Sequence, residues 1–263
     1  MRGLLILLCC LAAVHGETIQ ERGTRVVKEA LAALGGEHYL AMQNRVETGR
    51  AYSFYREDLS GLAIAKIYTE YLSPPKSPKL LGQRVRQAFG KNGEAWDLFL
   101  ESGEGWDVTY HGARPLEQTL LDRYRDSTLH DIFYILRERW TEPGMIFESR
   151  GSDVVANQPV EIVDITDSAD RVVTVSFHQF TKLPVKQVFY RRDPQTKDRH
   201  EESTVYSKYR DVGGGVMWPF TIYRERDGEK VYEMFSDSVE INQDFPDGMF
   251  SLPSGVKKIK PAE

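Results

Sequence analysis

The residues that could do chemistry in this chain are few, and their spacing is wrong for it. Beyond residue 16 there are five histidines, His38, His111, His130, His178 and His200. No two stand four apart, as a helical metal-binding pair requires, so each reads as a surface or strand residue. No G-x-S-x-G turn presents a nucleophile. The carboxylate pairs Glu57-Asp58 and Glu201-Glu202 are adjacent in sequence. On a strand the two members of such a pair face opposite ways, which defeats an acid/base couple, and both pairs read as solvated. Gly213-Gly214-Gly215 lacks the Lys-Ser/Thr of a phosphate loop and reads as a hairpin turn. The expectation is a non-enzymatic protein with no metal and no cofactor.

The first residues point outside the cytoplasm. Arg2 precedes an apolar run over 4–14, and Val14 and Gly16 occupy the small-residue positions before a cleavage point. This is the pattern of a signal peptide over 1–16, cut after Gly16. The run is too short for a membrane span, which needs roughly 20 residues. Both cysteines, Cys9 and Cys10, lie inside it, so the remaining 17–263 has no thiol for disulfides, metals or nucleophilic attack. Its core alone must hold it together. The leader carries Arg2 and no acid, so its loss takes the net charge from −5 to −6. Acid and base are interspersed, which argues against nucleic acid as a partner.

The elements follow from periodicity. Residues 18–34 predict an amphipathic helix, with Val26, Val27, Ala30, Leu31 and Leu34 at helical spacing, Thr18 as cap and Gly35-Gly36 as stop. Short period-two runs follow at 40–54, 62–71, 82–89, 95–100 and 106–110, with turns at Pro74-Pro75, Lys91-Asn92-Gly93 and Gly103-Glu104-Gly105. Residues 116–140 return to helical period, divided near Ser127-Thr128 and closed by Pro143-Gly144. Strands resume at 160–165, 172–180, 185–191, 204–212, 217–224 and 231–242, and the tail 257–263 reads as loose. One single domain over 17–263 accounts for this order best. Its expected fold class is α+β, mostly antiparallel β: an incomplete, strongly curved β-barrel with helices covering its concave face.

Large apolar residues stand out on strands that otherwise carry much polarity. Phe54, Trp96, Leu98, Trp218 and Phe220 are the prominent ones. The helical stretch adds a stripe of Leu120, Tyr124, Ile132, Phe133, Leu136 and Trp140. Composition alone favours an ordinary core for these residues.

Four stretches shift that weighting. Residues 209–220, YRDVGGGVMWPF, and 239–253, VEINQDFPDGMFSLP, resemble strand-and-turn signatures of bacterial outer-membrane lipoprotein-sorting proteins, the LolA-like family. The turn TKLPV at 181–185 and the helix end Ala32-Ala33-Leu34-Gly35-Gly36 are similar to members of that group. The chain departs from them in its length and in a more charged helical insert. The resemblance implies a periplasmic carrier that binds an acylated lipoprotein or lipid between curved sheet and helices. The eleven residues named above would then line an apolar cavity, with 116–140 as its movable cover. Burial of hydrocarbon, at about 0.8 kcal/mol per CH2, would drive loading. Inner- and outer-membrane transport components are the implied partners. An envelope sensor or regulator, or a protein-interaction module, using the same fold is the alternative.

Overall fold

The structure is a computed structural model and describes residues 16–72, 80–91, 93–193 and 195–260. The leader, Pro74-Pro75 and Asn92 fall outside these ranges.

Helix α1 (Ile19–Ala33) begins where the sequence places it. Thr18 and Glu21 form a reciprocal capping box: Glu21 N–H donates to Thr18 Oγ1 at 3.1 Å, and Thr18 N–H donates to Glu21 Oε2 at 2.8 Å. The apolar stripe Val26, Val27, Ala30, Leu31 and Leu34 is buried. Each buried Val or Leu of the stripe contributes about 1.5–3 kcal/mol. A short helix α2 (Glu37–Leu40) leads into the sheet.

Thirteen antiparallel strands form one sheet. The first meander is β1 (Asn44–Tyr55), β2 (Asp58–Tyr71), β3 (Gln83–Phe89), β4 (Ala95–Phe99), β5 (Gly105–Thr109) and β6 (Gly112–Pro115). The second is β7 (Ile146–Val155), β8 (Gln158–Thr166), β9 (Val172–His178), β10 (Pro184–Arg192), β11 (Arg199–Asp211), β12 (Met217–Arg226) and β13 (Glu229–Ile241). Within each meander every strand pairs with its neighbour in sequence. The two are joined because β1 pairs with β13, Arg45 opposite Ile241 through Ser53 opposite Tyr232. Strands β6 and β7 are therefore the two free edges, and the barrel is incomplete. Register shifts at Thr48/Gly49, Ser149/Gly151 and Arg224/Glu225 add the bends that curve the sheet.

The chain must travel from the β6 edge to the β7 edge, and it does so through the predicted helical stretch. Helix α3 (Gln118–His130) is followed by an extended residue, Asp131, then by α4 (Ile132–Tyr134) and a π-helical turn over Ile135–Arg139. The break thus falls three residues beyond the expected one at Thr128. Asp131 makes it possible by capping the next turn: its Oδ1 accepts from Phe133 N at 2.7 Å and Tyr134 N at 3.3 Å.

The sheet is buried on both faces, in different places. On the concave face, α1, α4 and the π turn form the main core with β7 to β12, including Ile132, Leu136, Val163, Val175 and Phe177. On the convex face of β2 to β6, the segment 245–256 covers a second core of Trp96, Leu98, Val108, Phe245 and Phe250. The tail is not loose as far as Ile259. Ala113 N donates to Lys257 O at 2.9 Å and Ile259 N donates to Ala113 O at 2.8 Å, so the tail occupies the edge of β6. An exposed edge strand is a site of unwanted pairing, and this segment removes it.

Close approach or a positive φ demands glycine at several positions, including the β11–β12 turn and α1. Gly213, Gly214 and Gly215 all have positive φ (124°, 64° and 82°) and make the β11–β12 turn, as expected. Gly23 lets α1 lie directly on β7: a Cβ there would collide with the carbonyl of Phe147. Gly23→Ala is expected to lower stability by about 1–3 kcal/mol, as overpacking does. A urea unfolding midpoint unchanged from wild type would refute this close approach.

Candidate functional site

Beneath the crossing helices the concave face leaves a cavity of about 240 Å³. Its roof is Tyr124, Ser127 and Thr128 of α3 together with Asp131, Phe133 and Tyr134. Its floor and walls come from β1, β2, β3, β10, β11, β12 and β13. The period-two alternation puts Arg45 and Glu47 of β1, and Ile67, Thr69 and Tyr71 of β2, on this face.

The wall is not the greasy surface expected. Apolar side chains, among them Ile67, Val85, Phe189, Ile222 and Met234, alternate with Gln83, Gln87, Gln187, Glu202 and Thr204. The oily part of the concave face is taken up by the protein's own core further along the sheet. What remains open is the mixed part.

The eleven residues singled out in the sequence scatter accordingly. Tyr124, Phe133 and Trp218 line the cavity. Ile132, Leu136 and Phe220 are buried in the main core, and Trp140 packs against it. Trp96 and Leu98 lie on the convex face, under the segment 245–256. Alternation explains this: Phe99, their neighbour on β4, turns inward and stacks on Tyr124 at 4.1 Å. Leu120 is 40 % exposed. Phe54 stands outside the cavity lining near the β1–β2 turn, with the Lys230 ammonium 4.4 Å from its ring.

Several charges face the same space, and most are matched locally. The Arg45 guanidinium lies over the Trp218 ring at 3.8 Å and donates to Tyr71 Oη at 2.9 Å. Its Nε stands 3.7 Å from Glu47 Oε2, and Glu47 also accepts from Ser236. Glu202, read as solvated, instead bridges Arg191 at 3.3 Å and Arg226 at 2.9 Å. Two charges have no ion-pair partner among the described residues. Arg224 sits at the exposed end of β12, its guanidinium 5.3 Å from the Tyr232 ring. Asp131 lies deep in the roof, and burial raises its carboxyl above the usual range. Arg224 and then Arg45 are the charges that oppose this rise. Burial likewise raises the Tyr71 and Tyr206 phenols and pushes Tyr124 up to about 12, so all three remain hydroxyl donors at neutral pH. The indole N–H of Trp218 has no partner among the described residues.

Histidine chemistry does not gather here. His130 is buried at the end of α3, stacked on Phe189 at 4.3 Å, and burial lowers its pKa. Among the described residues no three His, Cys, Asp or Glu side chains form a metal-holding group.

The cover is held unequally. Its second half is bolted down. Ile132 N donates to Gln187 Oε1 at 2.9 Å, and Tyr39 Oη donates to Phe133 O at 2.7 Å. Arg137 donates to the carbonyls of Tyr39 and Leu40, and Arg139 pairs with buried Asp167 at 2.7 Å. Helix α3 buries only Thr128 and His130. Its ties to the sheet include the Phe99–Tyr124 stack and the Arg191 contacts to Asp126 at 2.9 Å and Ser127 at 2.7 Å. Of the polar members of this site the sequence singles out only Tyr124 as a site residue, because isolated polar residues such as Arg45, Asp131 and Arg224 carry no periodic signal.

The fold, an incomplete antiparallel barrel with helices across the concave side, is similar to that of several solved proteins. An outer-membrane lipoprotein-sorting protein domain from Vibrio parahaemolyticus superposes with a TM-score of 0.57 at 11 % identity, over 88 % of this chain and 97 % of that one. A DUF1329 family protein from Desulfovibrio piger gives 0.60 at 10 % identity, over 89 % and 98 %. A LolA superfamily protein from Nitrosomonas europaea gives 0.53 at 11 % identity, over 87 % and 97 %. No protein-family model matches the sequence, and no curated protein matches it. At these identities the likeness is one of fold.

Two outcomes test the site's physics. Amides of α3 are expected to exchange at least about tenfold faster than those of Ile135–Arg139, because α3 buries so little. Equal protection across both, by hydrogen exchange, would make the roof a single rigid unit. The second concerns Asp97, paired across β4–β5 with Asp107 and pushed up to about 6 by burial, with Asp107 adding to it. An unfolded chain releases this proton near 3.8. Native protein therefore holds a proton that unfolded protein lacks, and stability falls as pH rises from about 4 to about 6. Asp97→Asn should be more stable than wild type at neutral pH, the two converging below about pH 4. Parallel stability curves across that range would contradict it.

Proposed function

We propose that this chain is an exported binding protein that carries an amphiphile, a lipid or an acylated lipoprotein, in the cavity beneath α3 and α4. The observation that carries this reading is the roofed void itself: a curved sheet left partly unfilled by the protein's own core, under a helix that is lightly held. Binding rather than catalysis fits the carboxylates, which serve as cap, ion-pair partner or hydrogen-bond acceptor rather than as a convergent reacting pair. Residues 1–16 direct export to the periplasm and are removed after Gly16, and 17–263 acts as one carrier domain. Tyr124, Phe133 and Trp218 are the contacts proposed for the guest. Transport components of the inner and outer membranes are the proposed donor and acceptor.

The volume sets a limit on loading. A cavity of about 150 Å³ accommodates benzene. The void here therefore receives only part of an amphiphile, and deeper entry requires α3 to lift from Phe99 and Arg191. Asp131, extended between α3 and α4, is the natural pivot.

Protein isolated from its native envelope should carry an extractable amphiphile near one per chain, read by mass spectrometry. Delipidated protein should rebind it with a change in tryptophan emission, and Trp218→Phe should remove most of that change while leaving the fold intact. Delipidated protein that takes up no acyl-bearing probe would end this reading.

A further inference from the structure

An amphiphile can enter a cavity by its hydrocarbon or by its polar end, and the wall chemistry distinguishes the two. Hydrocarbon entry would strip water from Gln83, Gln87, Thr204 and the charged residues without replacing its hydrogen bonds, which is costly. The volume, too, suits a small polar group better than acyl chains.

The charges narrow the choice further. Arg45, Glu47 and Glu202 are each compensated by protein partners. Asp131 and Arg224 line the same cavity, one in the helical roof and one on the sheet, and neither has an ion-pair partner among the described residues. Asp131 lies inside, with Oδ1 committed to the backbone N–H groups of Phe133 and Tyr134. Arg224 lies at the exposed end, beside Tyr232. A guest satisfying both must carry a positive group that leads inward and a negative group behind it.

We propose that the cavity binds the zwitterionic headgroup of an aminophospholipid, its ammonium toward Asp131 and its phosphate toward Arg224, with the acyl chain trailing out past α3. The ammonium gains a half-buried carboxylate on the cavity roof. The tyrosines around it, Tyr71 and Tyr206, offer further oxygen atoms and ring faces. The phosphate meets a guanidinium that has no ion-pair partner among the described residues and only the Tyr232 ring beside it. The inference rests on the amphiphile-binding reading and specifies which end of the guest is recognised.

The test uses the full mature chain and four probes below their micelle concentrations. These are lysophosphatidylethanolamine, lysophosphatidylglycerol and a fatty acid of equal chain length, and soluble phosphoethanolamine. Titration calorimetry should show the first binding at least about tenfold more tightly than each of the other three. Asp131→Asn keeps the helix cap and should erase the preference over lysophosphatidylglycerol. Arg224→Gln, at an exposed position, should weaken both phospholipids. Equal binding of all three amphiphiles, insensitive to both substitutions, would overturn headgroup recognition while leaving amphiphile binding in place. Soluble phosphoethanolamine binding as tightly as its lysolipid would overturn the lipid source of the headgroup. Failure of every amphiphile to bind would remove the underlying reading as well.

Discussion

The pairing of β1 with β13 is the constraint on which the remaining architecture depends. Two meanders of antiparallel strands would otherwise be separate sheets, each with a free central edge. Joined through this ladder, they become one sheet whose outermost strands are β6 and β7. The chain passes from β6 directly to β7, so residues 116–145 have to span the whole width of the sheet. Curvature makes the concave side the short way across. The helical roof, and the cavity under it, follow from topology before any side chain is considered.

Packing then decides how much of the concave face stays open. Helix α1, α4 and the π turn fill the half over β7 to β12 with buried aliphatic and aromatic side chains. Over the strands around the β1–β13 seam, apolar Ile67, Ile222 and Met234 share the inward face with Arg45, Glu47, Thr69 and Arg224, which keep that part from closing into a dry core. Their mutual compensation is what permits them to sit there. Burying charges is tolerable when each meets an opposite charge or a hydrogen bond, and most of these do.

Much of this was legible in the sequence, for identifiable reasons. Helix α1 has a capping box, a 3.6-residue stripe and a double-glycine stop, three signals that agree. The strands β8 to β13 lie between turn residues that mark their ends in the sequence. Strand β7 was not recognised because it is an edge strand whose buried side chain is Phe147 alone, leaving Ser149, Arg150, Ser152 and Asp153 without a readable period. The site was read less well than the fold. Trp96 and Leu98 have the size and type of cavity residues, and only the pairing register reveals that they face outward. Leu136 and Ile132 belong to the helical stripe as expected, yet both are buried in the core instead of lining the void, Ile132 in α4 and Leu136 in the π turn. Conversely, Arg45, Asp131 and Arg224 look like ordinary polar residues until the fold brings them to one space.

The two chain ends are exchanged between the halves of the sheet. Helix α1, at the start, completes the core of the second meander, while residues 245–259, at the finish, seal the outer face and free edge of the first. Neither meander can bury its apolar surface with neighbouring sequence alone. Neither half of the chain alone thus supplies all the surface that its own strands must cover. The consequence falls on the rate of folding, since contacts between segments far apart in sequence are the slowest to form.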